Sequence, residues 1–144
     1  MRDFFRTYSL NLAWIVSLAA VGGSLYFSEV MRFIPCSLCW WQRIFMYPIV
    51  FLLGIACYRN DRGIIRYVLP LSIIGGLIST WHVLEQKVPG FADIAPCTTG
   101  IPCDQDYINW LGFITIPMLA LTAFILITVF LLLGRGRGTA NSVQ

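Results

Sequence analysis

The sequence predicts an all-α protein: an integral membrane bundle of four transmembrane helices with both termini in the cytoplasm. Two observations predict the class. Hydrophobic residues make up 58% of the 144 and charged residues only 12%, against about 25% charge in an ordinary soluble domain. The charges are also clustered, so that four long apolar runs separate them. A chain patterned this way has lipid as its main solvent. Packed instead as buried helices of a soluble protein, the four runs would leave too little polar sequence to cover them.

A helix needs about 20 residues to cross the hydrocarbon core. Residues 7–28 carry no charge, and a first span is predicted over residues 9–28. Arg2 and Arg6 ahead of it and Ala19-Ala20 within it also fit a secretory signal peptide. The run continues past Gly22-Gly23 to Phe27, however, which is longer than a signal's apolar region, so it reads as an uncleaved helix. The second span, residues 38–58, holds the single charge Arg43 near one end; the third, residues 67–84, is just long enough. The longest uncharged run, residues 107–134, gives a fourth span over residues 111–133. Gly22-Gly23 and Gly75-Gly76 read as close-packing points between helices, and Pro48 and Pro117, both within spans, as kinks. Residues 1–134 are predicted to form one domain, and residues 135–144 a mobile cytoplasmic tail.

Four spans put both termini on one side with the connection that carries Arg59, Arg62 and Arg66. That side holds seven arginines against Asp3 and Asp61, a net of +5; the other holds Arg32, Arg43 and Lys87 against five acidic residues, a net of −2. Basic residues favour the cytoplasmic side, so residues 29–42 and 85–109 are expected to face outward. Trp40, Trp41, Trp81 and Trp110 then fall near the outer ends of the helices, where an aromatic belt belongs. Four of the five cysteines, Cys36, Cys39, Cys97 and Cys103, lie in the outward segments, where disulfides persist. Cys57 lies at the inner end of the second span and reads as a small apolar filler.

Cys36-Ser37-Leu38-Cys39 follows Pro35 at the mouth of the second span. Proline suits a first helical turn, and sulfurs near a helix N-terminus are stabilised as thiolates, the form that attacks disulfides and donates electrons. Arg43 follows Cys39 by four residues, on the same helical face one turn deeper. It is either an arginine that snorkels to the interface or an electrophilic partner for a carbonyl that gains negative charge on reduction. Gln42 reads as support for the polar boundary. In the second outward segment, Gly100 and Pro102 permit a tight return that lets Cys97 and Cys103 approach. That pair is either a structural staple or one of the labile disulfides that strained, exposed loops favour. A tetrathiolate zinc site of all four cysteines is the weaker alternative, since the outer compartment oxidises thiols and the second spacing is long for a zinc knuckle; no metal is expected. His82, the only histidine, is either a packing residue or a hydrogen-bonding and protonating group for an acceptor oxygen.

The string Pro35-Cys36-Ser37-Leu38-Cys39-Trp40-Trp41-Gln42-Arg43 resembles the signature of the disulfide bond formation protein B family. The chain is similar above all to its short-loop BdbC branch, whose second loop carries a compact pair like Cys97 and Cys103. The resemblance covers nearly the whole chain. It implies a protein of the bacterial cytoplasmic membrane that reoxidises a thioredoxin-fold, DsbA- or BdbD-like disulfide oxidase and passes the electrons to the quinone pool, menaquinone or ubiquinone. No nucleic-acid partner is expected. By the same resemblance, Cys36–Cys39 and Cys97–Cys103 are redox-active disulfides. The reduced partner would attack Cys97 with Cys103 leaving, Cys103 would exchange with Cys36, and Cys39 would reduce the quinone beside Arg43, with His82 nearby. Only five residues separate Cys97 from Cys103, which leaves little room between them for the membrane-lying helix of longer-loop members. Two alternatives remain at this point. One is a vitamin K epoxide reductase-like enzyme, in which the CxxC is expected near the last helix; the other is a non-enzymatic membrane protein with stapled outer loops.

Overall fold

The computed structural model describes residues 1–88, 90 and 115–135. Among them are four long helices: α1, Arg2–Leu25; α2, Ser37–Arg59; α3, Ile65–Lys87; and α4, Ile116–Gly134. A π-helical turn, Tyr26–Val30, extends α1, and a 3-10 turn, Arg62–Ile64, leads into α3. The protein is all-α. Its four candidate spans, Tyr8–Val30, Ser37–Arg59, Arg62–Lys87 and Ile116–Gly134, are each long and apolar enough to cross a membrane, which makes the chain a multi-pass membrane protein.

Local chemistry sets the boundaries. Asn60 closes α2 in the left-handed conformation, φ 52°, a geometry that asparagine tolerates better than most residues. Asp61 then accepts a hydrogen bond from the Gly63 N–H at 2.8 Å and starts the turn into α3. At the other end of the molecule, the Phe33 N–H donates to the Phe27 carbonyl at 3.0 Å, and the two rings stack. These contacts fold the end of α1 back toward the start of α2.

In the bundle, α1 and α3 each pack against both α2 and α4. The core joins Leu10 and Ala13 of α1, Met46, Ile49 and Leu53 of α2, Ile65 and Val68 of α3, and Phe124, Ile127 and Leu131 of α4. The Phe124 ring occupies the space where a side chain on Gly75 would sit. Ser72 donates to the Phe124 carbonyl at 3.1 Å and lies 2.8 Å from the Thr128 hydroxyl, so the polar groups between α3 and α4 satisfy one another. Outside this core, Phe51, Leu77 and Ile15 are more than half exposed, as side chains solvated by lipid are. Arg62 Nη1 donates to the Gly134 carbonyl at 3.3 Å, and Gly134 approaches Ser9. One end of the bundle therefore gathers the starts of α1 and α3 with the end of α4. The other gathers the end of α1, the start of α2, the end of α3 and the start of α4.

The structure corrects three expectations. The third helix runs beyond residues 67–84, because backbone hydrogen bonding does not stop at the first charge: exposed Arg66 and Lys87 and buried Glu85 are all helical. The fourth does not run unbroken from residue 111. Thr115 is extended and α4 begins at Ile116, so Pro117 occupies the first turn, where its missing N–H costs nothing, and does not kink a span. Gly22 and Gly23 are not close-packing points, since nothing lies within 4 Å of the side chain either lacks. Pro48 lies inside α2, as expected.

Candidate active site

Cys36 is the residue that caps α2. Its backbone is extended, φ −74° and ψ 174°, and its carbonyl accepts the Trp40 N–H at 3.1 Å. Pro35 thus stands just before the cap and not within the first turn. Three residues of helical start bring the sulfurs together: Cys36 Sγ and Cys39 Sγ lie 3.2 Å apart, within hydrogen-bond distance, and both cysteines are free thiols. Cys36 is buried and Cys39 half-buried.

His82 reaches this pair from the end of α3. Its Nε2 lies 3.6 Å from Cys36 Sγ, and its Nδ1 lies 3.2 Å from the Gln42 side-chain nitrogen. With the Gln42 amide donating to Nδ1, the ring proton sits on Nε2 and points at the sulfur. His82 is 1% exposed, so this is a buried polar chain from Cys39 through Cys36 and His82 to Gln42. Chiefly the Cys39 S–H, and then the His82 hydrogen bond, pull Cys36 far below the ordinary thiol value of 9.0, against the opposing effect of burial. Gln42 is more than a boundary residue. It is buried and fixes the histidine tautomer, and its place three residues after Cys39 was the signal that it shares the face of the cysteines.

Arg43 is anchored on α1 and its π-helical extension. Its guanidinium donates to the Ser24 carbonyl at 3.1 Å and to the Ser28 hydroxyl, both near the π-helical turn, and lies 5.5 Å from the Trp40 ring centre. Nothing in the sequence marked Ser24 or Ser28 as its anchors. Cys36, Cys39, Gln42, Arg43 and His82 all line one cavity of about 450 Å³. The rest of its wall is mostly apolar, from Ala19, Ala20 and Gly23 of α1 to Ile116, Leu119 and Ala123 of α4. An apolar chamber with a few convergent polar groups suits a flat, mostly apolar ligand with acceptor oxygens. The two sulfurs and a His82 nitrogen also lie within 4.8 Å of one another, a spacing that a soft metal ion could bridge. Cys57 packs against the core near the opposite end. Trp40, Trp41 and Trp81 are exposed at the site's end of the bundle. Cys97, Cys103 and Trp110 lie outside the described residues.

Residues 6–134 match the family model described as "Disulfide bond formation protein DsbB". The chain is 59% identical over 131 residues to disulfide bond formation protein C of Bacillus subtilis, covering 91% of this chain and 95% of that protein. It is 51% identical to probable disulfide formation protein C 1 of Bacillus anthracis, covering 89% and 92%. It is 44% identical to a probable disulfide formation protein of Coxiella burnetii, covering 89% and 88%. No solved structure matches the chain significantly. With a matching family model over residues 6–134 and a relative 59% identical over 91% of the chain, the chain is a member of the DsbB family of disulfide bond formation proteins.

Proposed function

We propose that the chain is a membrane thiol:quinone oxidoreductase that reoxidises a thioredoxin-fold disulfide oxidase on the extracytoplasmic side of a bacterial cytoplasmic membrane. One observation carries the reading: a CxxC pair, with a histidine placed to stabilise its thiolate, opens on an apolar cavity that also holds an anchored arginine. Overall, two thiols of the partner become a disulfide, and two electrons and two protons reach the acceptor.

When bound, a quinone of the ubiquinone or menaquinone type supplies the terminal two-electron acceptor, without which thiol–disulfide exchange only moves oxidation from one protein to another. The chain's own residues do the rest. The outer disulfide Cys97–Cys103 is attacked at Cys97 by the partner's thiolate; a second partner thiol resolves the mixed disulfide, leaving Cys97 and Cys103 reduced. Cys103 attacks the Cys36–Cys39 disulfide at Cys36 and releases Cys39 as a thiolate. Cys97 then displaces Cys36 from Cys103, so the outer disulfide returns and the inner pair is left reduced. His82 Nε2 holds or returns a proton at Cys36 Sγ, and electrons leave from Cys39. Arg43, fixed by Ser24 and Ser28, faces the negative charge that builds on an acceptor carbonyl without having to reorganise.

The same reading takes residues 1–134 as one functional domain and residues 135–144 as a cytoplasmic tail. It is tested by anaerobic mixing of the purified protein with a quinone and a reduced thioredoxin-fold partner. Quinone loss should match partner oxidation, and Cys39→Ser should abolish both. Quinone reduction by Cys39→Ser at the parent rate would overturn the assigned route.

A further inference from the structure

We infer that the Thr115 hydroxyl is a ligand contact, donating a hydrogen bond to a carbonyl oxygen of the quinone headgroup from the α4 wall of the cavity; the inference rests on the quinone reading above.

Thr115 is 1% exposed, and its Oγ1 has no hydrogen-bond partner among the described residues. That sets it apart from the other buried hydroxyls of the bundle. Ser17 donates to the Trp14 carbonyl at 2.7 Å, Ser79 to the Gly75 carbonyl at 2.9 Å, and Ser72 to the Phe124 carbonyl at 3.1 Å. A buried hydroxyl left without a partner is costly and rare, so it calls for a specific explanation.

Its position deepens the anomaly. Thr115 is the cap residue of α4, where a threonine ordinarily accepts an N–H from the second or third helical residue. It makes no such bond. The second helical residue is Pro117, which has no N–H to give. The sequence therefore places a capping residue at the helix start and removes one of its two usual donors.

Thr115 lines the same cavity as Cys39, Arg43 and His82. The start of α4, a helix of 19 residues, also brings the positive end of its dipole to that wall. A hydroxyl donor and a helix N-terminus suit an oxygen that accepts hydrogen bonds and gains negative charge as electrons arrive. Arg43 serves the same chemistry from α2. An acceptor-bearing, otherwise apolar molecule meets both demands, whereas a ligand rich in donors would leave both groups opposed.

The test uses the full chain, purified, depleted of quinone and held in lipid nanodiscs with its cysteines oxidised. Binding of menadione and of a short-tailed ubiquinone is read from quenching of tryptophan fluorescence, and thermal unfolding is followed without quinone. Thr115→Val should weaken binding about 5- to 20-fold, as loss of one buried hydrogen bond does, while Thr115→Ser should stay within about twofold of the parent. The unfolding midpoint of quinone-free Thr115→Val should hold or rise, because valine removes an unpartnered hydroxyl. A lowered midpoint with unchanged quinone binding means that the hydroxyl serves the helix start, and overturns the inference. If Thr115→Val does not fold, Thr115→Ala supplies the same binding comparison. A parent protein that neither binds nor reduces either quinone sinks the proposed function itself; a parent that binds, with a valine variant that binds equally well, sinks only the assignment to Thr115.

Discussion

Cys36 stands one residue ahead of the second span, where three groups converge on its sulfur: the Cys39 S–H, the His82 ring and the start of a helix. The first two lower its ionisation far below the ordinary thiol value of 9.0. The thiolate therefore persists as pH falls, until the lowered value is reached. In the reduced protein, alkylation of Cys36 by iodoacetamide, followed by mass spectrometry, should therefore change little between pH 8 and pH 6. An ordinary thiol would slow by about two orders of magnitude over that interval. Gln42→Leu and His82→Ala should each move the curve toward higher pH, by on the order of one unit for the loss of one hydrogen bond. A Cys36 profile that tracks an ordinary thiol would remove the thiolate from the mechanism.

At the scale of helices, the site depends on how closely the bundle lets its elements approach. Gly75 of α3 lies under the Phe124 ring of α4, while Gly22 of α1 faces open space. The two glycines look alike in sequence, each half of a Gly-Gly pair in an apolar run, and only packing separates them. Gly75→Ala forces the α3–α4 contact apart or turns the ring out of the core, and should cost about 1–3 kcal/mol, the usual range for overpacking. Gly22→Ala should leave stability unchanged or slightly raised, since alanine favours the helix. Thermal unfolding of the two variants in one detergent checks the contrast, and equal effects would contradict the packing. The helix ends follow the same lesson. Long apolar runs with at most one charge located all four helices, but α4 starts at Ile116 because Pro117 needs the first turn and Thr115 stays extended, an outcome of capping chemistry that hydropathy does not see.

Over the whole molecule, what could be read in the sequence was whatever local spacing decides. The i, i+3 placement of Cys36 and Cys39 and the i+4 placement of Arg43 needed only a helix, and all three line one cavity. The meeting of His82 with Cys36 across 46 positions, the anchoring of Arg43 on Ser24 and Ser28, and the orphaned Thr115 hydroxyl all depend on how four helices pack, which no one-dimensional pattern encodes. Charge is the one whole-chain signal that reaches beyond packing. In the sequence, the two terminal segments and the α2–α3 connection together carry +5, and the two segments expected on the other side, which include the cysteine pair, carry −2. Positive charge in short connections resists translocation, so the basic end should lie in the cytoplasm and the cysteine end outside. Cysteine labelling in intact cells tests this. In a chain with Cys57 replaced by alanine, a membrane-impermeant maleimide should label the reduced outer cysteines without permeabilisation. In a variant lacking all five native cysteines, Asn141→Cys should react only after the membrane is opened. The reverse pattern would place the redox pair in the reducing cytoplasm, where its disulfides would not persist, and would remove the physical basis for an oxidising role.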